Sequence, residues 1–525
     1  MKLFRSISKR WRNLKNGKDK DLCLSLSVEA QSYVGAVPAM PEGDAGHRAI
    51  VDAFFEIVNA KKPQIFCDIG ANQGEAGRRA LSTDMRMLIF GFEANPTIHK
   101  MHANVNIDVG VNWVNLAISN RTGEIDLYIP RILERAYSNG KLSKRVTIEA
   151  ENTGKSSILR RAENSEYNVV NVPTETLDNY LRRHAPNGRV ALWIDVEGAA
   201  SAVLGGAMET LDRTDVLIVE VEGFSFWQDQ ALVTSIIDIL RRKGFIPVLR
   251  DREYGDAQFN IVFVREDAKL QSVAARISQL TTPTVLKSGV NNASPSKRDT
   301  PLFIPSFNNT SYCASMLKQA IALGFEDITF VDNASDVPEM QRFLDEAEVL
   351  GAKVERLRHN IGPRESIFTD ERLSNLPRYF CVTDPDLKFN PALPPDFLEI
   401  MAEAIAKVKL GKIGFALDIS NRPGMKLEKF EIEKDRHYHI WEWEQQFWAK
   451  RLKFTTGGDA IYEASVDTTF ALYDRDRFAP KRLLKALRIG GRFTAIHLPW
   501  LDLNSMPTDE EMHYRATQKH SYYLM

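Results

Sequence analysis

Several common signatures are missing from this chain. Its 525 residues include only four cysteines, Cys23, Cys67, Cys313 and Cys381. They form no Cys-x-x-Cys pair and no zinc-like spacing, which excludes a disulfide framework and a cysteine zinc site. Cys67 and Cys381 lie inside apolar runs and read as buried hydrophobes. Scattered thiols suit a reducing compartment, so a cytoplasmic location is expected. No apolar run approaches the roughly 18 residues of a membrane-spanning helix. Neither charge sign dominates: 68 basic and 69 acidic residues leave a formal charge of −1. Nothing in that balance calls for a nucleic-acid partner.

What is present is ordinary for a globular protein: 44% hydrophobic and 26% charged residues. The length is too great for one core, so two or three domains are expected. Residues 1–45 read as a basic N-terminal extension. Within 1–20, Lys2, Arg5, Lys9, Arg10, Arg12, Lys15, Lys18 and Lys20 face one acid, Asp19, while Leu3, Phe4, Ile7, Trp11 and Leu14 recur at about helical spacing. Two readings stand. One is a helix lying on an anionic membrane surface, at the inner face of the membrane. The other is a solvated tail or a docked helix.

The stretch Ile65-Phe-Cys-Asp-Ile-Gly-Ala-Asn-Gln-Gly74 reads as a buried strand ending in a glycine turn. A helical segment follows, then a strand, Met87–Phe92, capped by Glu93. An acid about 20 residues beyond such a turn is placed to take a ribose. The turn is not the dinucleotide fingerprint, because Asn72 stands where the middle glycine belongs. A diphosphate needs that close approach, whereas a sulfonium nucleoside carries no phosphate. The pattern therefore favours S-adenosylmethionine over NAD. The plainer alternative is a structural strand and turn.

Further on, Val111–Ile118 reads as one strand, Gly123–Pro130 as another, and 131–165 as polar with few signals. Gly154-Lys-Ser-Ser157 reads as a loop over the cleft. Val190–Ile194 is a buried strand delivering Asp195 and Glu197, followed by a helix over Ala199–Met208. Two acids at a strand's end suit a general base or a metal ion, while Asp as a helix cap is the plain alternative. Val216–Glu222 is one more apolar strand ending in acids.

Asp68–Gly74, Glu93-Ala-Asn-Pro96, Asn115-Leu-Ala-Ile-Ser119, Thr176-Leu-Asp178 and Ile194-Asp-Val-Glu-Gly198 resemble the FkbM family of S-adenosylmethionine-dependent O-methyltransferases, over about residues 46–265. The resemblance implies a Rossmann-like class I methyltransferase domain, taken here as 46–270. It implies that Asp68, Gly70, Asn72, Gly74, Glu93 and Asn115 serve the cofactor, with Asp195 and Glu197 at the methyl-transfer centre. Where the commoner family form has Lys and Glu flanking the Asp-x-x-Gly, this chain has Trp193 and Ala200.

Residues 271–300 are polar with Pro and Gly and read as a linker. From Pro301 strands and helices alternate again, as in a second nucleotide-binding α/β layer. Ile328–Val331 ends in Asp332, and Arg378–Thr383 delivers Asp384-Pro-Asp386. Carboxylates one residue apart suit a Mg²⁺ or Mn²⁺ that neutralises a departing diphosphate. Ile304-Pro-Ser-Phe-Asn308, Val331-Asp-Asn-Ala-Ser335, Asn360-Ile-Gly-Pro363 and Asp384-Pro-Asp386 resemble GT-A-fold glycosyltransferases of the broad family-2 type. The resemblance implies a GT-A-type α/β glycosyltransferase domain over 301–525, with Asp332 at the donor nucleoside and Asp384 and Asp386 at the metal. His497, late in the domain, is a further metal or phosphate ligand candidate. Ala464–Tyr473 reads as a strand starting near Asp467. Asp467 and then Glu444, in the aromatic stretch Tyr438–Trp448, are candidate bases for an acceptor hydroxyl.

The expectation is a bifunctional enzyme of surface-glycan synthesis. It uses S-adenosylmethionine, a divalent metal and a nucleotide sugar, UDP-linked before GDP-linked, on a sugar or glycolipid acceptor. The alternatives are a glycosyltransferase whose methyltransferase-like domain is inactive, and a non-catalytic glycan-binding scaffold. Oligomeric state is not legible.

Overall fold

A computed structural model describes residues 26–265 and 294–517, apart from 41–42, 139–140, 150–153, 162–165, 253, 434–435, 457, 468, 480–485 and 504–505. The basic stretch 1–20 and most of the 271–300 linker lie outside the described residues. Among the described residues no helix is long and apolar enough to cross a membrane.

The first large sheet has seven strands. Its order is Phe245–Arg250, Gln258–Arg265, Thr214–Glu222, Val190–Ile194, Ile65–Ile69, Leu88–Phe92 and Asn112–Val114. Ile65–Ile69 pairs in parallel with Leu88–Phe92 on one side and with Val190–Ile194 on the other. Strand order reverses there, and in open α/β sheets the crevice at that reversal takes the ligand. The strands are continuous apolar runs because both faces are covered; Ile65–Ile69 is buried at all five positions. The helix Asp44–Lys61 lays Phe54 and Phe55 against Phe66 and Trp193, with ring centroids 5.6 Å apart for Phe54–Trp193 and 6.1 Å for Phe55–Trp193. Trp193 is thus a packing residue beneath this helix, and Ala200 is buried at the start of the short helix Ala200–Gly205.

Three local expectations change. Val111–Ile118 is not one strand: Asn112–Val114 stays in the large sheet, and Ala117–Ile118 joins a four-stranded sheet with Glu166–Glu175, Gly123–Ser138 and Lys141–Glu149. The break falls at Asn115, whose amide donates to the carbonyls of Glu93 (2.8 Å) and Ala94 (3.1 Å) and so turns the chain. The stretch from 131 is not featureless, because it continues one strand to Ser138 and forms a second, Lys141–Glu149. Ala199–Met208 is not one helix, because the chain interrupts it at Gly206 before the next turn, Met208–Asp212. There Gly206 lies against Ser119, and a Cβ would come within 2.0 Å of the Ser119 carbonyl oxygen.

The second large sheet has ten strands. Its main path is Lys353–Arg356, Ile328–Asp332, Leu302–Ser306, Tyr379–Val382, Ala471–Asp474, Lys412–Leu417, Leu487–His497, Asp459–Glu463 and Arg451–Thr456. Leu387–Phe389 pairs with Leu487–His497 off that path. Leu302–Ser306 is parallel to Ile328–Asp332 and to Tyr379–Val382, so Asp332 and Asp384 leave the sheet in the same direction. The expected strand Ala464–Tyr473 shrinks to Ala471–Asp474, leaving Asp467 on a loop.

The chain divides into two compact units. One holds residues up to Ser27, Pro41–Ile236 and Asp251–Val262. The other holds Val28–Met40, Ile237–Arg250 and everything from Phe263. The segment Val28–Met40 therefore belongs with the C-terminal half. In that unit Gly35 sits where a Cβ would lie 2.4 Å from the Tyr462 hydroxyl and 2.7 Å from the Trp448 ring. Its carbonyl accepts from Gly491 N–H at 2.7 Å. Glu29 pairs with Arg422 at 2.7 Å, and the Tyr33 hydroxyl donates to Asp238 at 2.9 Å.

Candidate functional site

The first unit gathers its polar residues at the carboxyl ends of the central strands. Gly70 turns the chain after Ile65–Ile69 with φ 80°, and a Cβ there would lie 1.8 Å from the Asp195 carbonyl oxygen. No other residue fits that position. Gly74 also has positive φ, 79°, and packs on the Asn106 amide. Asp68 is buried and accepts the Gly77 N–H at 3.0 Å. Burial pushes its carboxyl up to about 7 despite that bond.

Glu93 follows the next strand and accepts two backbone N–H groups, Asn72 at 2.8 Å and Asn95 at 2.7 Å. Burial again raises the carboxyl, to about 7. Each oxygen keeps a second lone pair for a hydroxyl donor. A pocket opens between these strand ends, with Gly70, Glu93, Leu116, Ser156, Asp195 and Val196 in its lining. Asn72 reaches this region through its backbone N–H, and Asn115 through the carbonyls it holds.

Asp195 and Glu197 come from the end of Val190–Ile194. Glu197 has φ 49°, an uncommon value for a residue with a Cβ. Its carbonyl accepts the Ser157 hydroxyl at 2.7 Å, and its Oε1 accepts Lys155 Nζ at 2.7 Å. Burial, then the Glu197 charge, raises Asp195 to about 6. Ligand atoms of Asp195, Glu197 and Glu220 all lie within 4.8 Å of one another. Lys155 and Ser157 lie on the connection between two strands of the four-stranded sheet, tied to it where Tyr128 N–H donates to the Ser157 carbonyl at 2.8 Å. The sequence presents both the Lys155 loop and the Glu220 strand end, but nothing local shows that they meet.

In the second unit, ligand atoms of Asp384, Asp386 and His497 also lie within 4.8 Å of one another. His497 is opposite Leu387 in the antiparallel pairing, beside Asp386, with Nε2 3.4 Å from Oδ2. Burial lowers the imidazole's affinity for a proton, and Asp386 opposes that effect. The strand behind Asp386 is held by Gln319, whose Nε2 donates to Leu387 O (2.9 Å) and whose Oε1 accepts from Phe389 N–H (2.9 Å). Sequence reasoning missed Gln319, an ordinary residue on the helix Thr310–Leu323.

Asp332 is buried and accepts from Ser335 N–H (3.0 Å) and the Ser335 hydroxyl (2.5 Å). Asp467 is exposed and paired with Arg364. Beneath its loop, Lys412 Nζ donates to the carbonyls of Val466 (2.7 Å) and Asp467 (3.2 Å), and burial lowers the lysine to about 7. Glu444 as a base does not survive the structure. It is 2% exposed and ion-paired with Arg488, so it has no route to an acceptor hydroxyl.

Residues 68–247 match the model of the methyltransferase FkbM domain. The matched stretch lies mostly in the first unit and spans its central strands, so that unit is similar to a methyltransferase domain of that kind. Among curated proteins, the 2-O-methyltransferase NoeI of Sinorhizobium fredii (strain NBRC 101917 / NGR234) is 27% identical over 238 residues, covering 44% of this chain and 88% of that protein. Among solved structures, GalNAc-T7 with UDP, GalNAc and Mn²⁺ aligns over 46% of this chain and 54% of its own, at 12% identity and TM-score 0.26. The precorrin-6y C5,15-methyltransferase of Geobacter metallireducens GS-15 aligns over 40% of this chain and 87% of its own, at 11% identity and TM-score 0.22. Scores that low define no fold for either unit.

Proposed function

We propose that the chain is a bifunctional enzyme of glycan synthesis, methylating a sugar hydroxyl in its first unit and transferring a sugar from a nucleotide donor in its second. The observation that carries the methyl-transfer reading is the pocket formed by Gly70, Glu93 and Asp195 at the strand reversal. The residues suit S-adenosylmethionine: a close-approach glycine, a buried acid with free lone pairs for a ribose, and no diphosphate cradle. When bound, that cofactor supplies an electrophilic methyl carbon on a sulfonium. Glu93 would hold its ribose, and Asp195 would take the proton that the acceptor hydroxyl gives up, directly or through water. A relative named a 2-O-methyltransferase supports a hydroxyl acceptor.

The glycosyl-transfer reading rests on the Asp384–Asp386–His497 cluster at the carboxyl end of a parallel strand. A divalent cation held there supplies charge neutralisation for a diphosphate leaving group. Asp467 is the remaining candidate base, and freeing it requires the Arg364 pair to open. The test is a calorimetric ligand panel on the whole protein: S-adenosylhomocysteine, and UDP, GDP and CMP with Mn²⁺. Binding of S-adenosylhomocysteine and of one nucleotide is expected, with UDP ahead of GDP. Binding of a nucleotide alone would leave a glycosyltransferase with an inactive first unit.

A further inference from the structure

We propose that Asp195, Glu197 and Glu220 form a divalent-cation site beside the methyl-transfer pocket, with the Lys155 ammonium as the charge that the cation displaces. The three carboxylates come from two adjacent parallel strands, Asp195 and Glu197 after Val190–Ile194 and Glu220 within Thr214–Glu222. Their ligand atoms lie within 4.8 Å of one another. Two oxygens on opposite sides of a Mg²⁺ or Ca²⁺ ion stand about 4–5 Å apart, so little movement is needed.

The second observation is an orphaned oxygen. Glu197 is 4% exposed, and its Oε2 is buried without a hydrogen-bond partner. Glu220 Oε2 is buried and unpartnered in the same way. A buried carboxylate oxygen without a donor is costly, and a cation is the group that relieves several at once. Lys155 reaches only Glu197 Oε1. With the Lys155 ammonium displaced, three ionised carboxylates carry a formal charge of −3, which one divalent ion reduces to −1, where a single ammonium leaves −2. Glu222 adjoins the group, with the Arg161 guanidinium as its countercharge. The all-oxygen donor set selects Mg²⁺, Mn²⁺ or Ca²⁺ over zinc.

The inference rests on the methyl-transfer reading only for its use. A cation here would hold the acceptor hydroxyl oxygen next to Asp195 and ease loss of its proton. Cation binding itself is independent of that reading.

The test is Mn²⁺ binding to the full chain, followed by electron paramagnetic resonance. The Asp384→Asn, Asp386→Asn double variant removes the other cluster and is expected to bind one Mn²⁺. Adding Glu220→Gln should weaken that ion at least tenfold. Adding Lys155→Met instead should tighten it by about tenfold, a change that a damaged fold would not produce. No Mn²⁺ bound by the double variant, or equal affinity with Glu220→Gln, would overturn the site. Calorimetry with S-adenosylhomocysteine on the same proteins separates the two readings. If Glu220-dependent Mn²⁺ binding occurs without binding of that nucleoside, the methyl-transfer reading fails and the cation site stands.

Discussion

Gly70 shows how much a single residue decides. Its φ of 80° costs a residue with a Cβ about 1–2 kcal/mol, and the Asp195 carbonyl leaves no room for one. Gly70→Ala is therefore expected to lower Tm by several degrees and to abolish S-adenosylhomocysteine binding, read by thermal unfolding with and without the nucleoside. The buried acids make a second residue-scale prediction. Asp68 and Glu93 are each raised to about 7 by burial. In the folded state they hold protons that the unfolded chain releases near pH 4, so the folded unit binds more protons between those limits. Their contribution to stability is complete below about pH 4 and is lost as pH rises through about 7. Hydrogen exchange at Ile65–Ile69, corrected for intrinsic rates, should show protection falling from pH 5 to pH 7.5. Asp68→Asn keeps an acceptor for Gly77 N–H and should reduce that fall; an unchanged slope would refute the assignment. Asp68 and Glu93 were legible from sequence because one interrupts an apolar run just before its glycine turn and the other closes an apolar run. Their raised affinity for protons was not, because it depends on what covers them.

At the scale of elements, capping and bridging residues do the positioning. Asn95 caps the helix Pro96–Asp108 by accepting Thr97 N–H at 3.0 Å, and its amide donates to Ser156 at 3.1 Å. Asn95→Ala should cost about 1–2 kcal/mol in chemical denaturation and loosen the loop that carries Lys155. Gln319 replaces a missing ladder neighbour for Leu387 and Phe389. Gln319→Ala leaves one carbonyl and one N–H unpaired, at about 1–3 kcal/mol. Mn²⁺ affinity at Asp384–Asp386–His497 should fall with it, measured against the Asp386→Asn variant as the floor. Long strands with one apolar period were plain in the sequence. The hairpin spanning Gly123–Ser138 and Lys141–Glu149 was not, because its polar residues carry little alternation and its pairing is a sheet-level event.

At the scale of the molecule, two chemistries are expected to separate cleanly. Asp195→Asn should abolish methyl transfer and spare glycosyl transfer, and Asp386→Asn should do the reverse, each followed by product mass. A fragment of 301–525 is a different matter. It lacks Val28–Met40, so Trp448 and Tyr462 lose the backbone packed on them at Gly35. It is expected to be less soluble than the full chain, measured side by side, and recovery in the presence of a 26–40 peptide would tie the loss to that segment. The sequence by itself determined the α/β alternation and the acids at the strand ends, because apolar runs and glycine turns act over a few residues. Only the tertiary structure decided which acids meet, that Lys155 enters from a loop between strands of a second sheet, that Glu444 is spent on Arg488, and that 28–40 joins the C-terminal half. Each of these depends on strand order and on contacts between residues far apart in the chain, and no local pattern records them.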